Sequence, residues 1–312
     1  MPTPSPSRWL TLAAFGVIYF VWGSTFLAIR ISVHEIPPLL CAAIRFLIAG
    51  AALYLFMLLR GQPSPTRRQW IGAIAMAALI FVGDYGFLFW AEQRVPSGVA
   101  AVMLATIPAF MALSEVILLR TQCLTLRLAL ALLIGLAGVA ALVSHSLNLG
   151  GAPINSAGAI ALLIAAFDWS IASALSRKLP LPESKAMSAG AQMFAGGLLL
   201  FAVASLSGEF RLFHPLDVTT GAWLALLYLI IAGSIIGFTA YLWLLHHHSP
   251  TRVGTYAYVN PLVAVLIGYF FAGEPLGLRT VLGTALILIS VIVITTMRSR
   301  TPAPTPPVEE PA

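Results

Sequence analysis

Ten stretches of about 20 predominantly apolar residues follow one another along this chain, each long enough to cross the ~30 Å hydrocarbon core of a bilayer as a helix. They fall at approximately 9–31, 37–60, 70–91, 97–119, 126–144, 156–177, 184–207, 221–245, 251–272 and 279–297. The breaks between them carry turn chemistry, as in Pro37-Pro38, Gly61-Gln62-Pro63, Gly150-Gly151 and Ser249-Pro250. Apolar residues make up 59% of the chain and charged residues 9%, with a mean hydropathy of +0.94. A soluble protein of 312 residues could not hide that much apolar surface, so lipid is the solvent for most of the chain. The first run is too long for the apolar core of a cleaved signal peptide and already contains Trp22 and Arg30, so it reads as the first span.

The chain is also written twice. Trp22 and Arg30 recur as Trp169 and Arg177, 147 positions later, and the same offset carries Arg45 onto Gln192 and Gly50 onto Gly197. Pro96 and Pro108 find counterparts in Pro250 and Pro261 at offsets of 154 and 153. The expected organisation is a first repeat over 9–144, a linker over 145–155, a second repeat over 156–297 and a Pro-rich tail over 298–312. Five spans per repeat is an odd number, so the second half should enter the membrane upside down relative to the first. Such inverted repeats allow alternating access to one site near the midplane.

Orientation follows from the basic residues. With the N-terminus inside, 12 of the 17 Lys and Arg fall at inner ends, four at outer ends, and Arg45 inside a span. That excess puts both termini in the cytoplasm and the linker outside. It also accounts for the net charge of +6 without nucleic acid, because the basic residues are spread over many short loops. Cys41 and Cys123 then lie on opposite sides, which argues against a disulfide, and no Cys/His spacing suggests a metal site or a cofactor. His246-His247-His248 reads as a wetted helix end, since adjacent helical residues point in different directions.

Candidate functional residues are the polar ones at membrane depth. Asp84 and Asp168 lie well inside apolar spans, where an aspartate costs roughly 2.5–3.5 kcal/mol to insert. Each reads as a proton-coupling or substrate-ammonium site, or as a carboxylate tied to a neighbour for packing. Trp22 and Trp169 sit too deep for the interfacial belt and suit a cavity wall or a packed core. Tyr256 and Asn260 share a helix face, as cavity hydrogen-bonders or as an interhelical tie. Arg45 is expected to pair structurally with Glu92 and snorkel outward, with recognition of a substrate carboxylate as the alternative. Arg30 and Arg177 should anchor opposite helix ends. Pro108 and Pro261 should kink spans four and nine, whose small residues (Gly98, Ala101, Ala105, Ala109, Ala112; Gly254, Ala257, Pro261, Ala264, Gly268) predict close inner helices at the pseudo-twofold axis.

The segments WGSTFLAIR at 22–30, PPLLCAAIRFLIAG at 37–50, AEQRVPSGVAAVMLATIP at 91–108 and AYVNPLVAVLIGYFFAGEPL at 257–276 resemble the EamA-type transporters of the drug/metabolite transporter superfamily, in particular their YedA-like branch. The resemblance runs from about Trp9 to Thr296. It implies an all-α membrane protein of ten helices in a basket, a central cavity between the halves, and export of amino acids or other small metabolites. One departure is that Gly273-Glu274 follows the fourth helix of the second repeat where the first has Arg120-Thr121.

The leading reading is therefore a secondary exporter in a bacterial inner membrane, with a small-molecule substrate, protons as coupling ion, the lipid bilayer as solvent and a monomer compatible with the pattern. A sugar-phosphate or nucleotide-sugar antiporter would need clustered Lys or Arg inside the spans. A membrane-embedded enzyme would need a catalytic motif, and the sequence contains no HExxH, no paired Asp-rich magnesium motif and no Ser/His/Asp arrangement at a shared depth.

Overall fold

The helices begin where the sequence supplies a cap. In a computed structural model, residues 7–94, 100, 103–121, 123–143, 155–263 and 278–297 are described. Ten helical segments follow in order: α1 (Arg8–Val33), α2 (Pro38–Leu59), α3 (Arg67–Glu92), α4 (Ile107–Leu119), α5 (Leu126–Val143), α6 (Ser156–Leu175), α7 (Lys185–Leu206), α8 (Thr220–His247), α9 (250–263) and α10 (Leu278–Thr296). Thr66 and Gln69 form a reciprocal capping box at α3, while Asn155, Ser184, Thr219 and Ser249 each accept from a backbone N–H at the start of α6, α7, α8 and α9. Proline stands in the first turn of α2, α4 and α9, where its missing N–H costs no bond.

Six of these helices (α1, α2, α3, α6, α7 and α8) are long and apolar enough to cross a membrane, and shorter apolar helices stand at 107–119, 126–141 and 282–296. Large apolar side chains face outward, Phe20 and Leu133 each 62% exposed, which is the arrangement lipid stabilises. The linker over 145–154, the tail from 298, Gly98, Ala101, Ala264, Gly268 and Gly273-Glu274 lie outside the described residues.

The two repeats meet through glycines. On α2 and α7 the backbones cross directly: a β-carbon at Gly190 would lie 2.8 Å from the Tyr54 nitrogen, and one at Gly50 would lie 2.6 Å from the Met193 carbonyl carbon. Gly197 is pressed in the same way against Leu47. Thus the 147-residue match of Gly50 and Gly197 marks two halves of one helix crossing. α5 and α10 pack similarly, with a β-carbon at Gly138 falling 2.9 Å from the Gly283 oxygen. α4 and α9, expected to be a close pair, meet at Gly254 against Met111, and part of their small-residue stripe lies outside the described residues. Within it, Ala105 and Ala112 are buried and Ala109 is exposed. Among the described residues the backbone-to-backbone crossings are those of α2 with α7 and α5 with α10. In lipid, small residues let helix backbones approach closely.

Both repeats share a further departure from regular helix. The Ala78–Gly86 stretch of α3 and the Leu229–Ile236 stretch of α8 are π-helical, and each contains a glycine followed by a polar residue, Gly83-Asp84 and Gly233-Ser234. The wider turn shifts the backbone ladder and leaves carbonyls for side chains to use.

Candidate functional site

α1, α3, α4, α6 and α9 surround a cavity of about 60 Å³. A water needs about 10–15 Å³ by the same measure, so the cavity takes a few waters and a larger ligand requires the helices to part. Trp22, Thr25 and Phe26 come from α1, Asp84 and Tyr85 from the π-helical turn of α3, Trp169 from α6, and Tyr256, Asn260 and Pro261 from α9.

Its inner wall is aromatic. The two repeat-related tryptophans meet edge to face, centroids 5.5 Å apart at 79°. Tyr256 stands 4.9 Å from Trp22, Tyr85 5.9 Å from Trp169, and Tyr241 packs 5.1 and 4.9 Å from the two indoles. Edge-to-face geometry is what ring quadrupoles favour, and the two indoles adopt it, while Tyr241 is tilted against both. The equivalent tryptophans differ in one respect. Trp22 Nε1 donates to the Gly233 carbonyl of the α8 π-turn at 3.0 Å, whereas Trp169 Nε1 reaches no carbonyl among the described residues and faces only the Tyr241 hydroxyl, outside good hydrogen-bond geometry.

Asp84 is 4% exposed and lines the cavity, and no hydrogen bond to it is found among the described residues. Asp168 does not line the cavity but stays close to Asp84. It is partly exposed, packs its carboxylate on Gly83, the chain neighbour of Asp84, and its charge acts on Asp84. Asp168 directly precedes Trp169, and on a helix that step of about 100° changes the face presented.

Arg45 corrects a sequence expectation. It does not pair with Glu92. Its Nε donates to Ser234 Oγ at 2.8 Å, and Ser234 Oγ donates in turn to Leu229 O at 2.9 Å, five residues back in the π-turn. The guanidinium lies 4.7 Å over the Phe46 ring and 5.3 Å over that of Tyr85, with Nη1 unpartnered among the described residues. At 1% exposure it does not snorkel. Gly233 makes room for it, since a β-carbon there would sit 3.0 Å from Nη2. Glu92 is instead under the influence of Arg30.

The Asn260 amide donates to Tyr19 O at 3.2 Å and to Tyr256 O at 3.0 Å when its nitrogen is turned inward, tying α9 to α1 while it faces the cavity. Pro261 lines the cavity. Pro108 is buried where α4 resumes after a turn at 105–106, and the neighbouring Ile107 carbonyl accepts from Ser170 at 3.3 Å.

Below this chamber, contacts between the repeats close one end. Tyr19 and Thr255 hydroxyls bond at 2.7 Å and Lys178 donates to Leu118 O, while Ser173 bonds Tyr241 within the second repeat. Glu115, 1% exposed, accepts from the Thr251 N–H at 3.0 Å and from its hydroxyl, at the N-terminus of α9. Arg177 anchors a helix end as expected, donating to Leu245 O and His248 O. At the other end, Glu35 accepts from the Thr219 N–H at 2.6 Å and its hydroxyl at 2.8 Å, and Glu209 accepts from Leu40 N–H at 2.8 Å. These two backbone N–H donors belong to the starts of α8 and α2, so each acid caps a helix of the opposite repeat. The Thr219 donors hold the Glu35 carboxyl below its usual range, and burial raises that of Glu209.

Glu115, Tyr85, Thr25 and Ser234 are absent from the residues singled out in the sequence. Glu115 had a signal, as an acid within the fourth apolar run. The π-turns also had one, the paired patterns Leu79-Ile80…Gly83…Gly86-Phe87 and Leu229-Ile230…Gly233…Gly237-Phe238, the second longer by one residue.

With this geometry in place, comparison with known proteins assigns the chain. "Uncharacterized inner membrane transporter YedA" of Escherichia coli (strain K12) is 38% identical over 285 residues, covering 90% of this chain and 89% of the relative. "Protein PecM" of Dickeya dadantii is 30% identical, covering 88% of each. A Salmonella typhimurium protein named "Probable amino-acid metabolite efflux pump" is 27% identical, covering 89% and 92%. A chain of known crystal structure superposes with a TM-score of 0.73 at 24% identity, covering 93% of this chain and 98% of that one, which supports the fold. The EamA-like transporter family matches twice, over residues 7–144 and 156–296, so this duplicated membrane chain belongs to the EamA-like transporter family.

Proposed function

We propose that the protein is a secondary active exporter of small organic metabolites, amino acids among them, working by alternating access with proton coupling at Asp84. The observation that carries this reading is a buried carboxylate, with no hydrogen bond among the described residues, facing an aromatic cavity between two repeats. A charge at that depth is stable only when a proton or a cationic partner neutralises it, so occupancy of the cavity and protonation are coupled. Inverted repeats, ten complete spans, cytoplasmic termini and an inner-membrane location belong to the same proposal and rest on the basic asymmetry and odd span count. The name of the Salmonella relative favours amino-acid metabolites as the first substrates to try. A sugar-phosphate substrate is disfavoured, since the described lining contains no Lys or Arg.

Asp84→Asn keeps the shape and removes the titratable charge. In proteoliposomes loaded with substrates drawn from an amino-acid panel, it should retain binding and lose flux driven by a pH gradient, while Asp168→Asn should have the weaker effect. Parent-like flux of Asp84→Asn at every imposed gradient would refute proton coupling at this carboxylate. Weakened binding confined to cationic substrates would assign it to the substrate amine instead.

A further inference from the structure

A second cavity, of about 390 Å³, lies apart from the aromatic chamber where the end of α6, the start of α7 and the end of α8 converge. Arg177, Lys185, His246, Ser176 and Ser188 line it together with four leucines. Lys185 opens the 22-residue helix α7, so the exposed N–H groups of that helix start stand beside the ammonium. Arg177 is held in place by the carbonyls of Leu245 and His248, and Ser188, 2% exposed, is fixed by the Gln192 amide at 2.8 Å. The cavity thus presents fixed donors and no carboxylate in its own lining, with Glu183 acting on Lys185 and Glu115 on Arg177 from outside it.

The duplication says whether packing alone requires this polarity. Stepping back 147 positions carries Ser176, Lys185 and Ser188 onto Ile29, Pro38 and Cys41, and only Arg177 finds a basic counterpart, Arg30. Equivalent places in the same fold are therefore built without the hydroxyls and the ammonium. The polar set belongs to this end of the second repeat, the end where basic residues collect along the sequence.

We infer that this cavity binds a phosphate group, carried either by an anionic phospholipid whose glycerol and acyl carbons cover the leucines or by a small soluble phosphate ester. Basic pockets between spans at a cytoplasmic leaflet take lipid headgroups by this chemistry, with Arg as a fork and Lys as a point charge. The inference stands apart from the transport reading, which uses the other cavity.

The test uses the full-length protein, delipidated in a neutral detergent, with binding measured by native mass spectrometry. The probes are phosphatidylglycerol, phosphatidylcholine and glycerol 3-phosphate. Phosphatidylglycerol should bind in preference to phosphatidylcholine, and Lys185→Gln should weaken it about five-fold, the effect of one basic residue near an anionic headgroup. Arg68→Gln, the same charge change at an exposed site outside the lining, should leave it unaltered. Binding of phosphatidylglycerol without glycerol 3-phosphate identifies the ligand as lipid, and equal binding of both identifies a soluble ester. His246→Glu, at an exposed position, supplies a second variant should Lys185→Gln not purify as a monodisperse species, and it should also lose binding. Equal retention of both lipids by the parent, or equal effects of Lys185→Gln and Arg68→Gln, overturns the inference.

Discussion

Trp22 and Trp169 occupy equivalent places in the two repeats, yet replacing each with phenylalanine should have different consequences. Both indoles are buried, 5% and 3% exposed, so the ring area lost is nearly the same and cancels in the comparison. What remains is the N–H. Trp22→Phe strands the Gly233 carbonyl, which takes that bond at 3.0 Å inside a dry π-turn and has Gly237 pressed against the same indole. An unsatisfied buried acceptor costs about 1–3 kcal/mol. Trp169→Phe strands no carbonyl, because its N–H faces only the Tyr241 hydroxyl, which keeps Ser173 as its partner. Trp22→Phe should therefore be the less stable by about 1–3 kcal/mol. At roughly 2–4 °C per kcal/mol for domains of 150–250 residues, that separates the two melting midpoints by several degrees. Fluorescence-detected size exclusion after heating, in one detergent at one protein concentration, reads the difference. Transport should rank the other way, because the Trp169 N–H is held by no carbonyl among the described residues and can turn to a ligand in the cavity, whereas that of Trp22 is taken by Gly233. Equal midpoints, or a lower one for Trp169→Phe, would refute the reasoning.

Two further outcomes follow from the helix crossings and caps. Gly50→Ala should lower the melting midpoint through overpacking of about 1–3 kcal/mol against the backbone of α7, whereas Gly16→Ala, with nothing within 4 Å, should be neutral or gain up to about 1 kcal/mol of helix propensity; matching behaviour of the two would mean α2 and α7 do not cross there. Glu35 has a lowered carboxyl pKa in the fold, so its stabilising contribution is present above the unfolded carboxylate value of about 4.3 and is lost as pH falls through the still lower folded value. The stability gap between the parent and Glu35→Gln should accordingly be open at about pH 7 and close as acid is added; thermal melts across that range that keep a constant gap would remove the Thr219 cap from the account.

Much of this was legible before any coordinates. Apolar run length gave the helices and lipid as solvent, because no other solvent tolerates that composition. The 147-residue offset picks out the two tryptophans, and they meet at the cavity. Depth along each helix is readable too, and Asp84, Tyr256 and Asn260, singled out by it, line the cavity.

Azimuth was not. Sequence gives a residue's height along its helix, but which neighbour it faces depends on how the helices rotate against one another. Arg45 and Glu92 were paired on height, while rotation of α2 against α8 aims the guanidinium at Ser234 and under Tyr85. Asp84 and Asp168 were treated alike on height, and only packing puts the first in the cavity and the second on Gly83. Gly50 and Gly197 announced the duplication, but that they mark a backbone crossing is a fact of packing, since nothing in a lone glycine tells a close approach from an incidental one. The π-turns also belong to tertiary structure: a one-residue change in hydrogen-bond register alters no composition, and it persists because Trp22 and Arg45 take up the groups it frees.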